Sequence, residues 1–212
     1  MQSSVNNSSN NNSNSVSNVS SNTTTPAVST KVLFIGDSRT VGMCGYTGSE
    51  LYNVQTCKQH KFIGKVGIGY SYFSSNIINN IKSAVANTND KYKIVILLGV
   101  NDLGNGVNIS TISSNYMNII TRLANNELKN HSITFVSVPP VSASNSYNIP
   151  VTNINNFNNN MKQKINSLNL NNVKYCDIST SFNASNIYQP DGLHYTSTGY
   201  TYLYNQVVNK CI

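Results

Sequence analysis

The chain has 212 residues, 39% of them hydrophobic, enough for one α/β domain with a buried core. Its formal charge is +7, yet the lysines are scattered (Lys58, Lys61, Lys65, Lys82, Lys91, Lys93, Lys162 and Lys164) and form no dense basic block, so nucleic-acid binding is not expected. No run approaches the roughly 20 apolar residues of a membrane-spanning helix, and no membrane insertion is expected.

In chain order, residues 1–30 are almost wholly Ser, Asn, Thr and Val, without periodicity or an apolar stretch that could pack. This head is predicted to be a disordered tether, and the folded domain to occupy 31–212. The head is either a stalk that holds the domain away from a cell surface or an inert tail. A polar head directly after Met1 fits a secreted or cell-surface protein whose export signal has been removed.

Beyond the head, short apolar runs alternate with helical patterns. Strands are predicted over 31–35, 61–66, 94–98, 133–138 and 173–177. Between them, apolar residues recur at steps of three and four: Tyr72, Ile77 or Ile78, Ile81 and Val85; Ile112, Tyr116, Ile119 or Ile120, and Leu123; Ile154, Phe157, Met161, Ile165 and Leu168. A last helix over 197–208 carries Tyr200, Leu203, Tyr204 and Val207. Strand and helix in alternation predict a parallel sheet covered on both faces, a three-layer α/β/α sandwich.

Three short strings carry the chemistry. Gly36-Asp37-Ser38 follows the first strand, Gly99-Val100-Asn101-Asp102 follows the third, and Asp191-Gly192-Leu193-His194 precedes the last helix. Strand ends in open α/β sheets are where ligands bind. The strings supply a hydroxyl nucleophile, an amide donor, and an imidazole with a carboxylate three residues away. A serine hydroxyl becomes a nucleophile when an imidazole takes its proton, and the imidazole needs a partner to fix its tautomer and stabilise its charge. Asp37 and Asp102 could be read as the paired carboxylates of a glycosidase, but both sit in turn motifs that explain them structurally.

Together with Gly67 in Lys65-Val66-Gly67-Ile68-Gly69, these strings resemble, in order and approximate spacing, the four blocks of the SGNH (GDSL-type) hydrolase superfamily. The resemblance spans residues 31 to the C-terminus. It implies a flavodoxin-like fold with a five-stranded parallel sheet and a serine esterase acting through an acyl-serine intermediate. It also implies Ser38, Asp191 and His194 as the catalytic set, with the oxyanion met by the backbone N–H groups of Ser38 and Gly67 and the amide of Asn101. Gly69 is the alternative to Gly67. Arg39, where the family often has Leu, is a candidate for substrate contact, as is Tyr70, which with Tyr72 and Phe73 could form an aromatic platform for a sugar ring.

No cofactor or metal is expected. Gly64, Gly67 and Gly69 match neither nucleotide-binding pattern, and Cys44, Cys57, Cys176 and Cys211 have no metal spacing. The cysteines form either two local bridges or four thiols. His60 and His131 carry no partner signature. Within the family's range, the expected substrate is an ester with a short acyl group, acetyl foremost, on a carbohydrate or cell-wall glycan. Lipase, thioesterase or acyltransferase chemistry at the same site, or a glycan-binding module without turnover, are the alternatives.

Overall fold

The computed structural model describes residues 1–4, 30–45, 51–86, 89–183 and 186–212. Apart from residues 1–4 and 30, the expected tether lies outside them.

Strand β1 (Thr30–Gly36) runs into the short helix α1 (Ser38–Met43), followed by the strands β2 (Leu51–Cys57) and β3 (His60–Gly64). Next come α2 (Tyr70–Tyr72), a π-helical segment (Phe73–Ile77) and α3 (Ile78–Val85), which run on from one another. β4 (Lys91–Leu97), α4 (Ile109–Asn125), β5 (Ser132–Val136), α5 (Val151–Asn166), β6 (Val173–Cys176) and α6 (Ser197–Cys211) complete the chain. The sheet order is β2-β3-β1-β4-β5-β6. β3, β1, β4, β5 and β6 are parallel and are the five predicted strands.

The expected five-stranded sheet therefore gains a sixth strand, β2, antiparallel to β3 at the edge. The turn between them is Lys58-Gln59, with φ of 48° and 69°. Two-residue hairpins that need positive φ at both positions ordinarily announce themselves with Asn-Gly or Asp-Gly. Here two ordinary side chains adopt that conformation, so the sequence gives no hairpin signal.

The central strands are continuous apolar runs because both their faces are buried. Leu33 and Ile35 of β1, with Ile94 and Ile96 of β4, pack under α3, α4 and α5. Val32 and Phe34, with Val95 and Leu97, face α1 and α6. Phe34 stacks on Phe62 of β3 with ring centroids 4.6 Å apart, and burying one such ring contributes about 2–3 kcal/mol. Disulfides join Cys44 to Cys57 and Cys176 to Cys211. The second pins the end of β6 to the end of α6.

This topology positions the site. After β1 the chain moves to β3 on one side and then crosses to β4 on the other, so the switch point lies between β1 and β4, where doubly wound folds open a crevice. The strand ends are level there: Gly36 pairs with Gly64 of β3 and with Leu97 of β4.

Candidate active site

At the end of β1, Asp37 caps α1 by accepting the Arg39 N–H at 2.9 Å, which turns the chain sharply and sets Ser38 at the crevice. His194 Nε2 lies 3.0 Å from Ser38 Oγ, and His194 Nδ1 lies 2.6 Å from Asp191 Oδ2. The other Asp191 oxygen accepts the backbone N–H groups of Leu193 and His194, each at 2.9 Å. Burial would raise the Asp191 carboxyl, but the bonds from the His194 ring and from the two N–H groups outweigh it and hold it below the ordinary carboxylate value. An ionised carboxylate fixed in this way can orient the imidazole and stabilise its charge when the ring takes the hydroxyl proton.

The Asp191–His194 loop is held from behind by the segment after β5. Ser142 N–H donates to Gly192 C=O and Ser146 N–H to Asp191 C=O, both at 2.8 Å. Gly192 has φ +69°, and a Cβ there would lie 2.8 Å from Ser142 Cβ and 2.9 Å from Asn145 Cα, so only glycine fits the contact. Asn145 folds the holding segment. Its amide donates to Ser142 C=O and Ile149 C=O at 2.9 Å, and its oxygen accepts Ile149 N–H at 3.0 Å. The same segment places the Tyr147 ring 5.9 Å from the His194 ring, edge to face. Nothing in the sequence singles out Asn145 or Tyr147, because a Ser- and Asn-rich loop without a motif looks like any other.

Across the crevice, Asn101 lies in the short helical turn after β4 and donates from Nδ2 to Ile68 C=O at 2.8 Å. One amide hydrogen is thereby fixed, and the carboxamide has a second to offer. Gly67 has φ +75° and open space where a side chain would be. Gly69, the alternative donor, is pressed against Asp102: a Cβ there would fall 2.0 Å from Asp102 Oδ1. Asp102 Oδ2 accepts Tyr70 N–H at 3.1 Å and Tyr116 O–H at 2.6 Å, so this carboxylate ties the Gly67 loop to α4.

Three expected contacts differ. Arg39 is 2% exposed and donates from Nη1 to Pro139 C=O at 2.9 Å. Nη2 approaches Leu193 C=O at 3.5 Å, and the guanidinium sits over the Tyr195 ring at 5.2 Å. It fastens the site from beneath and does not face substrate, because backbone carbonyls and an aromatic face occupy it. Tyr70 packs on the core, its ring edge-on to Tyr116, and Phe73 is buried. Of the proposed aromatic platform only Tyr72 lines the groove next to Asn101.

Residues 34–202 match the GDSL-like Lipase/Acylhydrolase family. The chain belongs to this family. No curated protein matches this acylhydrolase. Solved structures with the same fold include a lipase/acylhydrolase from Enterococcus faecalis (17% identity, TM-score 0.59, covering 84% of this chain and 94% of that one). A carbohydrate esterase family 3 protein from Talaromyces cellulolyticus (20%, 0.58, 84% and 94%) and an acetylxylan esterase from Geobacillus stearothermophilus (15%, 0.58, 84% and 92%) are also similar. At these identities the likeness is one of fold.

Proposed function

We propose that this acylhydrolase is a serine esterase that removes short acyl groups, acetyl foremost, from a carbohydrate or cell-wall glycan. The unbroken line Asp191–His194–Ser38 carries this reading. Ser38 Oγ attacks the ester carbonyl carbon as its proton passes to His194 Nε2. The oxyanion is met by the N–H groups of Ser38 and Gly67 and the Asn101 amide, each such donor being worth about 10²–10³ in rate. As the intermediate collapses, the bond to the alcohol oxygen breaks and His194 returns the proton to that oxygen. A water, deprotonated by His194, then attacks the acyl-Ser38 carbonyl, and the carboxylic acid leaves as His194 returns the proton to Oγ.

The groove beside Asn101, of about 450 Å³, supports a polar ester with a small acyl group. Its lining mixes Lys65, Ser71, Ser75 and Asn76 with Val66, Ile68 and Tyr72 and is polar in the larger part, which favours hydrogen-bonding groups over a long apolar chain. The two disulfides support export, since such bridges persist in oxidising compartments. On this reading the polar head is the tether of a cell-surface or secreted enzyme.

The test is acid release from p-nitrophenyl esters of graded chain length and from acetylated glycans, with Ser38→Ala as control. Activity confined to short chains and lost by about 10⁶ in Ser38→Ala is expected. Near wild-type hydrolysis by Ser38→Ala, or glycan affinity with no acid release by the wild type, would overturn the reading.

A further inference from the structure

Apart from Met1, two large apolar side chains are exposed among the described residues: Val66 at 41% and Tyr147 at 52%. Val66 lines the groove with Gly67 and Asn101, and Tyr147 stands beside His194. A single exposed apolar residue is ordinary; here each of the two falls beside a residue of the candidate site, Val66 beside Asn101 and Tyr147 beside His194. Tyr147 is also not left out by slackness. The short segment that bears it is closed by the three hydrogen bonds of Asn145, itself 7% exposed, and clamped to Asp191 and Gly192 through Ser146 and Ser142. A loop tied at so many points holds in place the backbone that bears the ring.

That place has a chemical meaning if the serine esterase reading holds, on which this inference rests. The carbonyl oxygen of the ester belongs beside Gly67 and Asn101. The alcohol oxygen belongs beside His194 Nε2, which must protonate it as it departs. A ring against His194 therefore borders the alcohol half of the ester. We infer that Tyr147 is a specificity-determining contact for that alcohol, stacking on the apolar C–H face of a pyranose ring. A tyrosine suits such a ligand, having a broad apolar face and a hydroxyl tip that can reach the sugar hydroxyls.

The experiment compares two acetates that share the acyl group and differ in the alcohol: methyl glucopyranoside tetraacetate and ethyl acetate. Tyr147→Ala is expected to lower the ratio of kcat/KM for the sugar ester over ethyl acetate about tenfold, through KM, and Tyr147→Phe to restore most of it. In the Ser38→Ala background, where no turnover intervenes, Tyr147→Ala should weaken binding of the sugar ester about tenfold by NMR titration. Because Tyr147 is half exposed, an unchanged melting temperature is expected to accompany both results. If both esters lose rate in parallel with a displaced pH–rate limb, Tyr147 only orients His194 and the inference is overturned. An unchanged ratio together with unchanged binding overturns it as well. A wild-type enzyme that hydrolyses neither ester defeats the esterase reading, and the binding measurement then still decides the role of Tyr147.

Discussion

Arg39 donates to the Pro139 carbonyl at 2.9 Å, a bond between the helix that opens with Ser38 and the segment that holds the Asp191–His194 loop. With Nη2 near the Leu193 carbonyl and Tyr195 beneath, one buried guanidinium spans three pieces of chain whose relative placement sets the 3.0 Å separation of Ser38 and His194. Lysine keeps the charge but lacks the planar fork that reaches two carbonyls at once. Arg39→Lys is expected to lower kcat by roughly 10–10²-fold, the cost of misplacing reacting groups, with KM near the wild-type value. Steady-state kinetics on a short ester check this. A rise in KM with kcat intact would mean that Arg39 binds substrate after all.

Asn101 is oriented before any substrate arrives, because its bond to Ile68 C=O at 2.8 Å fixes the carboxamide plane. On the proposed mechanism its second N–H meets the charge that develops only in the transition state. Asn101→Ala is expected to cost about 10²–10³ in kcat with little change in KM. A change confined to KM would move Asn101 from oxyanion stabilisation to ordinary binding.

The two backbone bonds to Asp191 make the outcome of Asp191→Asn specific. Leu193 and His194 N–H both need an acceptor at Oδ1, so the asparagine must present its oxygen to them and its NH2 to the ring. His194 Nδ1 would then have to accept, the proton would sit on Nε2, and the ring could not take the Ser38 proton. A loss of about 10⁴ in kcat with a near wild-type melting temperature is expected, as found where this tautomer is inverted in serine proteases. Wild-type turnover by Asp191→Asn would leave Ser38 and His194 as a dyad with some other orienting acceptor.

What the sequence discloses depends on how local the cause is. Five strands are legible because burial on both faces writes them as apolar runs, as in Val32-Leu33-Phe34-Ile35. Ser38, Asn101, Asp191 and His194 are legible because short motifs at strand and helix ends hold them. β2 is not, since its hairpin turn uses Lys58 and Gln59 in a conformation those residues rarely adopt. Arg39 is ambiguous because its partner, Pro139, lies 100 positions away and only the closed sheet brings them together. Tyr70 is misplaced for the same reason. Helical spacing cannot tell a tyrosine that meets Tyr116 in the core from one that faces a cleft.

Asp37 provides a test of the burial that surrounds the nucleophile. It is 2% exposed, and desolvation pushes its carboxyl up to about 6, against the opposing pull of the Arg39 charge and N–H. Its ordinary value is 3.8, so the folded state holds this proton more tightly than the unfolded chain does. Between about pH 4 and pH 6 stability therefore falls as pH rises, because folding must bury a charge that the unfolded chain carries in water. In Asp37→Asn the amide would keep an oxygen to cap α1 and would resemble the protonated aspartic acid, so other titrating groups and the fixed Arg39 charge cancel in the comparison. Denaturant unfolding of the wild type and Asp37→Asn at pH 4 and pH 7.5 should show the stability difference moving in favour of the variant by about 2 kcal/mol. A difference that stays flat across that range would mean the Asp37 charge is solvated or fully compensated by Arg39, and that the turn behind Ser38 is wetter than its packing implies.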